Sequence, residues 1–552
     1  MEKEFKKFER YRDFLAEYRV DIPENFNFAF DFLDKEAAEH PHRPAMVHIG
    51  PDGTRRDFDL AFFSQESSRL ANAFQKAGIG RGDKIMLVLQ RRVEFWVSIL
   101  ALNKIGAIPV PSPHLLMPHD IEYRVNKALI KACVVEEDFV ERIEAVRSEC
   151  PCLEVLVRVG EAALHQGWLA YEGIRQAASA EYPKPAKAPG GSDVMFVFFS
   201  SGTTGMPKMV VHSYNYPLGH ITTGVYWHDL REGDVHLTVA DTGWGKALWG
   251  KFFGQWMAKA VVFVWDYRGK FLPAELLRVI SEHGVTTFCA PPTVYRFLVR
   301  EDLKAYDLSK LRHCVTAGEL LNETVFHSWK KATGLSIYEG YGQTETCLQI
   351  AAFPCMEIKP GSIGKPCPGW NIELLSDGGK PCQPGEEGEI CIHLEPGKNL
   401  GLFTGYLDEP EKTASVCYGG YYHTGDKAWV DEDGYYWFMG RNDDLIKSSG
   451  YRIGPFEVEN ALISHPAVVE AAVTGVPDPL RGQAVKATLV LAPGYTASPE
   501  LTAQIQDHVK HVTAPYKYPR IVEYTEELPK TISGKIKRAE IRARDEEPGK
   551  TD

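Results

Sequence analysis

The chain has 552 residues, too many for one ordinary hydrophobic core, so roughly two to four domains are expected. Its composition, 44% hydrophobic and 25% charged, excludes collagen-like, low-complexity and disordered classes. A net charge of −12 excludes nucleic-acid binding by the chain as a whole. The longest apolar runs, VMFVFF and AVVFVW, are far shorter than a membrane span, so no integral membrane segment is expected.

The amino-terminal MEKEFKKFERYRDF carries both charge signs. It lacks the apolar core of a signal peptide and the acid-poor character of a transit peptide, and a cytoplasmic location is expected from it. Strand-like and helix-like patterns then alternate over residues 84–330. KIMLVLQ is a short buried run, and RVEFWVSILALNKIG after it reads as an amphipathic helix. VMFVFFS, VHLTVAD and AVVFVWD are further buried strands; FLPAELLRVISEHG reads as a helix and VTTFCAPP as a strand. This alternation predicts α/β layers with parallel sheets.

From about residue 360 the texture changes to short strands with Gly-rich turns. Asp433-Gly434, between AWV and YYWF, is a hairpin signal. A small antiparallel β subdomain is expected over residues 360–442. Beyond Asp443, VEAAVTGVPD and QAVKATLVLA read as strands and ELTAQIQDHVKHV as a helix, a compact α+β domain over residues 443–552. The predicted fold is therefore α/β: a large N-terminal domain of layered α/β subdomains with its β subdomain, over residues 1–442, then a small α+β C-terminal domain. The 11 cysteines show no paired CxxC spacing and read as reduced core residues, without a zinc site.

Five segments carry candidate chemistry. Ser200-Ser201-Gly202-Thr203-Thr204-Gly205-Met206-Pro207-Lys208 follows a buried strand. Glycines let backbone approach a phosphate, hydroxyls and N–H groups hold its oxygens, and Lys208 adds charge. It is not a Walker loop, because Met209 follows the lysine; read alone, it is a phosphate cradle or a polar turn. Tyr338-Glu339-Gly340-Tyr341-Gly342-Gln343-Thr344-Glu345-Thr346 sets a carboxylate beside a hydroxyl, a pair suited to Mg²⁺ or to an ordinary surface turn. His423-Thr424-Gly425-Asp426 offers a carboxylate in a tight turn, suited to a ribose diol. Residues 440–452, dense in charge and glycine, read as a linker or a hinge. Pro529-Lys530-Thr531-Ile532-Ser533-Gly534-Lys535 presents a lysine beside a glycine in a basic segment, which suits anionic ligands or a solvated face.

In order, spacing and wording these five segments resemble the adenylate-forming superfamily: acyl-CoA synthetases, adenylation domains of peptide synthetases, and firefly luciferase. The resemblance spans residues 30–544, and GKPCPGWNIELL, TAPYKYPR and PKTISGKIKR bring it closest to the medium-chain acyl-CoA synthetases. It implies an ATP-, Mg²⁺- and coenzyme A-dependent ligase of fatty acid metabolism. Such an enzyme turns a small carboxylic acid into its adenylate, releasing pyrophosphate, and then passes the acyl group to coenzyme A.

By that resemblance residues 200–208 hold the β- and γ-phosphates and the leaving pyrophosphate, while Ala317, Gly318, Glu319, Glu339, Gly340, Tyr341, Gly342, Gln343 and Thr344 flank the adenine. Asp426 and Arg441 hold the ribose, Arg452 stays near the nucleotide, Glu345 holds the metal, and Lys535 bridges the attacking carboxylate and the α-phosphate. Many members have Thr where this chain has Ser200; the hydroxyl is kept. The resemblance also implies rotation of a mobile C-terminal domain about Asp443, which withdraws Lys535 and presents Ser449, Gly450 and Tyr451 to coenzyme A. Arg481, Lys510, Tyr516, Lys517 and Tyr518 match the remaining coenzyme A contacts.

Trp244, with Gly318, Gly340, Tyr341 and Gly342, is expected to wall the acyl pocket. Acetyl-CoA synthetases usually place a Trp at the position of Gly342. The glycine predicts a longer cavity and a short- to medium-chain or branched acid rather than acetate. The alternatives are an adenylating enzyme that loads a separate carrier protein and a non-catalytic nucleotide or acyl binder. The oligomeric state is not readable from the sequence.

Overall fold

The computed structural model describes residues 5–163, 165–200, 206–395, 397–449, 451–530 and 536–546. Two sheets build the bulk of the large domain. A nine-stranded sheet has six parallel strands at its centre, in the order Ile337–Gly342, His313–Ala317, Thr287–Cys289, Val235–Thr238, Val261–Trp265 and Pro44–Ile49, with antiparallel strands at both edges. A five-stranded parallel sheet runs Ile108–Pro111, Lys84–Val88, Ile130–Glu136, Val155–Val159 and Trp168–Ala170. Such strands are buried on both faces, hence the unbroken apolar runs.

Two expectations are corrected here. Val194–Ser200 joins no parallel layer. It pairs antiparallel with Lys208–Ser213, which pairs in turn with Gly405–Tyr406. Seven residues between the two strands are too few for a parallel crossover, which needs a dozen or more, so the pair closes as a hairpin. The helix Glu94–Ile105 is not amphipathic: every residue from Phe95 to Ile105 is buried, because the helix is enclosed between layers.

The expected antiparallel subdomain is present. Ile372–Leu375, Glu387–His393, Tyr421–Val430 and Cys417–Tyr418 lie in that order, with Tyr436–Arg441 paired to Tyr421–Val430 across the Asp433-Gly434 turn. Gly434 has φ +82, the left-handed conformation that the turn requires. The C-terminal domain has its own five-stranded sheet and its own core, centred on Val458, Leu462, Val473, Val485, Leu489 and Ile505. All 11 cysteines are free thiols. Among the described residues no helix is long and apolar enough to cross a membrane.

Candidate active site

The site forms at the carboxyl ends of the parallel strands, where open α/β sheets place ligands. Ala317 pairs with Gly340, which brings Gly318 and Glu319 alongside residues 339–342. Gly318 has φ +103, so the chain turns there without a side chain. Lys246 Nζ donates to the Ala317 carbonyl at 2.6 Å and fixes this strand end.

Across from it, strand pairing sets Asp426 opposite Arg441. Asp426 Oδ2 accepts from the Tyr341 hydroxyl at 2.6 Å and from Gln343 Nε2 at 2.7 Å. Gln343 Nε2 also donates to the Thr424 carbonyl, while its Oε1 accepts from the Tyr422 hydroxyl at 2.7 Å. Arg441 Nε stands 4.0 Å from Asp426 and 3.8 Å from Asp443, and is buried without a hydrogen-bond partner. A buried, unpartnered guanidinium nitrogen beside a carboxylate suits the hydroxyls of a nucleotide sugar.

The second half of the site is a chain of cation, phenol and carboxylate. Ser200 and Lys208 pair across their hairpin. Lys208 Nζ lies 5.1 Å from the centre of the Tyr406 ring, and the Tyr406 hydroxyl donates to Glu345 Oε1 at 3.0 Å. Burial lowers the pKa of Lys208, and Glu345 opposes that shift. His212 Nε2 bonds the Thr344 carbonyl at 2.7 Å, and Phe403 N–H donates to the Glu345 carbonyl, so the loop bearing Thr344 and Glu345 is pinned from behind. Carboxylate and hydroxyl oxygens are the donors a hard divalent cation takes, so Glu345 and Thr344 fit Mg²⁺.

Not every expected residue faces this cleft. The Glu339 carboxylate is buried and accepts the Leu321 N–H at 3.1 Å; burial raises its pKa to about 8. Glu339 therefore holds strand ends together rather than flanking a nucleotide with its side chain. The Glu319 carboxylate is tied to Thr293 and Arg296 on the neighbouring helix. Ser201, Gly202, Thr203, Thr204, Gly205, Gly450 and Lys535 lie outside the described residues, as does the side chain of Arg452.

The pocket side departs most from the sequence reading. Trp244 is half-buried and opens the helix Gly245–Gly250, which breaks before a second helix, Phe253–Met257. Two other tryptophans press on the glycines. A Cβ at Gly340 would come 2.6 Å from Trp227 Cζ2, and one at Gly342 would come 2.4 Å from Trp249 Cη2. The space expected beside Gly342 is thus filled from the opposite wall. Buried His220 packs against Tyr216, centroids 4.5 Å apart, and against Trp249, centroids 6.1 Å apart, while Trp227 is buried on the Gly340 side. Trp227 Nε1 and His220 Nε2 are buried without partners. Sequence reasoning missed Trp227 and Trp249 because they stand outside every motif; their glycine partners were the only available signal.

The residues expected to meet coenzyme A gather on the C-terminal domain. Ser449 N–H donates to the Arg481 carbonyl at 2.8 Å. Tyr451 stacks on Tyr516 at 4.1 Å, and Lys510 Nζ sits 4.5 Å over the Tyr518 ring. Lys517 is drawn aside by Glu457. Among the described residues, no hydrogen bond, ion pair or ring contact joins this cluster to residues 339–345.

The comparisons with known proteins agree with this geometry. The AMP-binding enzyme model matches residues 33–407, and the AMP-binding enzyme C-terminal domain model matches residues 457–535. The chain belongs to the AMP-binding enzyme family. It is 41% identical to the Acyl-coenzyme A synthetase ACSM3, mitochondrial, of Mus musculus, over 98% of this chain and 94% of that protein. It is 42% identical to the Homo sapiens ACSM5 synthetase, over 95% and 91%. Among solved structures it superimposes on the anthranilate CoA ligase AuaEII in complex with anthranoyl-AMP with a TM-score of 0.87, at 33% identity, covering 95% of this chain and 98% of that one. The acyl-CoA synthetase of Brucella canis gives a TM-score of 0.75 at 32% identity, covering 98% and 99%. Within the family, then, the chain is an AMP-forming acid–thiol ligase, an acyl-CoA synthetase that takes a carboxylic acid, ATP and coenzyme A.

One expectation falls here. The cytoplasmic location read from the amino-terminal composition is overturned by these relatives, which are named mitochondrial. A targeting leader is an address read by receptors and leaves no imprint on the catalytic fold.

Proposed function

We propose that this synthetase activates a short or branched member of the short- to medium-chain fatty acids. The observation that carries this reading is Trp249 lying against Gly342, with Trp227 against Gly340. The two rings close the chamber where a straight chain would otherwise extend. With that depth closed, a short or branched acid is favoured over a long straight one. Each methylene is worth only about 1–3 kcal/mol in such a pocket, so neighbouring acids will also be turned over.

In the first step two anions must meet, the acid's carboxylate and the nucleotide's α-phosphate. Positioning and charge neutralisation are therefore the main requirements. Asp426 and Arg441 hold the ribose, the segment from Ser200 to Lys208 holds the β- and γ-phosphates, and Lys535 bridges the acid and the α-phosphate. Mg²⁺, held by Glu345 with Thr344, neutralises phosphate charge when bound. Lys208 and Tyr406 set the field at that carboxylate.

In the second step the C-terminal domain, beginning at Asp443, turns about that residue and offers Tyr451, Tyr516, Arg481 and Lys510 to coenzyme A. The Tyr451–Tyr516 pair is exposed and stacked, a ready face for a base, and Arg481 and Lys510 supply charge for phosphates.

The test is pyrophosphate release across acetate, butyrate, 2-methylbutyrate, octanoate and benzoate, with and without coenzyme A. Coenzyme A-dependent turnover that peaks on butyrate or 2-methylbutyrate is the expected result. A peak on octanoate or benzoate overturns the acyl reading and leaves the ligase intact. Lys535→Ala should abolish pyrophosphate release yet retain thioester formation from pre-made acyl-adenylate; equal loss of both removes that role.

A further inference from the structure

The antiparallel sheet carries a cluster that the ligase reaction does not use. Strand Glu387–His393 pairs with Tyr421–Val430 so that Cys391 faces His423. Glu389, two residues before Cys391, points to the same face of the strand. His423 Nδ1 lies 3.0 Å from Glu389 Oε2 and 3.4 Å from Cys391 Sγ, and the three atoms fall within 4.8 Å of one another.

One imidazole nitrogen has either a proton to donate or a lone pair to accept with, so it satisfies one neighbour at a time. Here it faces two. A metal ion between them removes that conflict, because imidazole nitrogen, thiolate and carboxylate can all give it lone pairs. The spacing agrees. With metal–ligand bonds of about 2.0 Å to N or O and about 2.3 Å to S, tetrahedral zinc sets N and S about 3.5 Å apart and N and O about 3.3 Å apart.

Surrounding contacts hold two of the three groups in that pose. Glu389 Oε1 accepts the Gly425 N–H at 2.8 Å, which aims Oε2 at the imidazole. The His423 ring stacks on Tyr418, centroids 3.8 Å apart and planes 4° apart, which sets its orientation. Such outer contacts are what orient metal ligands. His423 and Glu389 keep side-chain exposures of 12% and 22%, so water can complete a fourth position, while Cys391 is buried.

We propose that Glu389, Cys391 and His423 form a binding site for a zinc-type transition-metal ion, separate from the Mg²⁺ position at Glu345. A mixed sulfur, nitrogen and oxygen set selects Zn²⁺ or Co²⁺ over Mg²⁺. The ion would clip strand Glu387–His393 to the turn through Thr424 and Gly425, beside Asp426. The spacing of the ligands explains why the sequence hid them: strand register brings them together, and no CxxC pair does.

Cobalt titration tests this without reference to activity. The chelator-treated, reduced full chain should gain a thiolate-to-cobalt charge-transfer band in the near ultraviolet, saturating at one equivalent. Zn²⁺ should displace it and excess Mg²⁺ should not. Cys391→Ser should abolish the band, His423→Gln should weaken affinity at least tenfold, and Cys382→Ser, elsewhere on the subdomain, should retain it. His423→Gln keeps the test valid if the buried serine variant fails to fold. No band in the native chain, or an undiminished band in both site variants, overturns the proposal.

Discussion

At the scale of single residues, Asp426 is a tightly held member of the proposed nucleotide site. It is buried, and its Oδ2 takes two hydrogen bonds, from Tyr341 and Gln343, within a network that also holds Tyr422. Hydrogen bonds to a charged group contribute about 1.5–3 kcal/mol. Asp426→Asn keeps the shape but removes the charge and turns one oxygen into a donor. Steady-state kinetics should show the KM for ATP rising by about tenfold or more, with the KM for the acid little changed; a rise confined to the acid would place Asp426 elsewhere. Trp249 is the matching residue on the acyl side. Trp249→Ala opens the space that Gly342 leaves, and the kcat/KM ratio of octanoate to butyrate should rise by about tenfold per added methylene accommodated. An unchanged ratio would mean that another wall sets chain length.

At the scale of elements, the amino-terminal arm holds the element that carries Trp227, part of the proposed acyl wall. Residues 222–227 form a π-helix, Thr222–Trp227, a distortion frequent at functional sites, and its last residue is the Trp227 that meets Gly340. The arm straps this element from outside. Lys7 Nζ donates to the Val225 and Leu230 carbonyls, the Tyr18 and Thr222 hydroxyls bond at 2.6 Å, and buried Phe14 packs on Tyr226 at 4.5 Å and edge-on to Phe353. The Tyr11 hydroxyl anchors the arm to the Pro366 carbonyl. Emptying a buried phenylalanine site costs about 3–5 kcal/mol, enough to loosen an arm this short. Phe14→Ala should therefore raise the KM for the acid several-fold while leaving the KM for ATP near its native value. Parallel changes in both constants would reduce the arm to a general stabiliser. Nothing in the charged, motif-free sequence of the arm pointed to this position: its partners all lie more than 200 residues away in the chain.

At the scale of the whole molecule, what was legible in the sequence was what short-range patterns encode. Buried parallel strands announce themselves as apolar runs, and the Asp433-Gly434 turn as a hairpin. Asp426, Arg441 and Glu345 stand in motifs whose residue types suit the chemistry proposed for them. What was hidden depends on elements meeting across the fold: the inward turn of Glu339, the tryptophans against Gly340 and Gly342, and the enclosed helix Glu94–Ile105.

The same enclosure sets the pH response. His212 and His313 are lowered to about 4, and His220 and His236 to about 3, all chiefly by burial. Their folded pKa values lie below the unfolded 6.5, so the unfolded chain binds their protons first. Stability from these groups is complete above pH 6.5 and is lost as pH falls toward 4, by about 1.4 kcal/mol per histidine per pH unit. Urea unfolding should show a clearly lower midpoint at pH 5 than at pH 7.5, and His236→Gln should flatten that difference by one proton's share.

The proposed domain rotation would act at the junction between the two domains. Asn442 N–H is tied to the Gly425 carbonyl of the large domain, whereas the Asp444 carboxylate is buried against Arg542 of the small one. Asp443 lies between these two anchors and is spanned by the hydrogen bond from the Asp444 N–H to the Arg441 carbonyl at 3.1 Å. The contacts that a rotation would break include that hydrogen bond, Asn322 to the Asn460 carbonyl at 3.1 Å, and Phe438 against Phe456 at 5.7 Å. A hinge of this kind needs free φ at one position. Proline fixes φ near −65°. Asp443→Pro should therefore freeze the domain in one orientation, keeping acid-dependent pyrophosphate release while thioester formation falls by a hundredfold or more. If single-turnover measurements show both half-reactions unaffected, the two steps share one arrangement and the anchors on either side of Asp443 are merely structural.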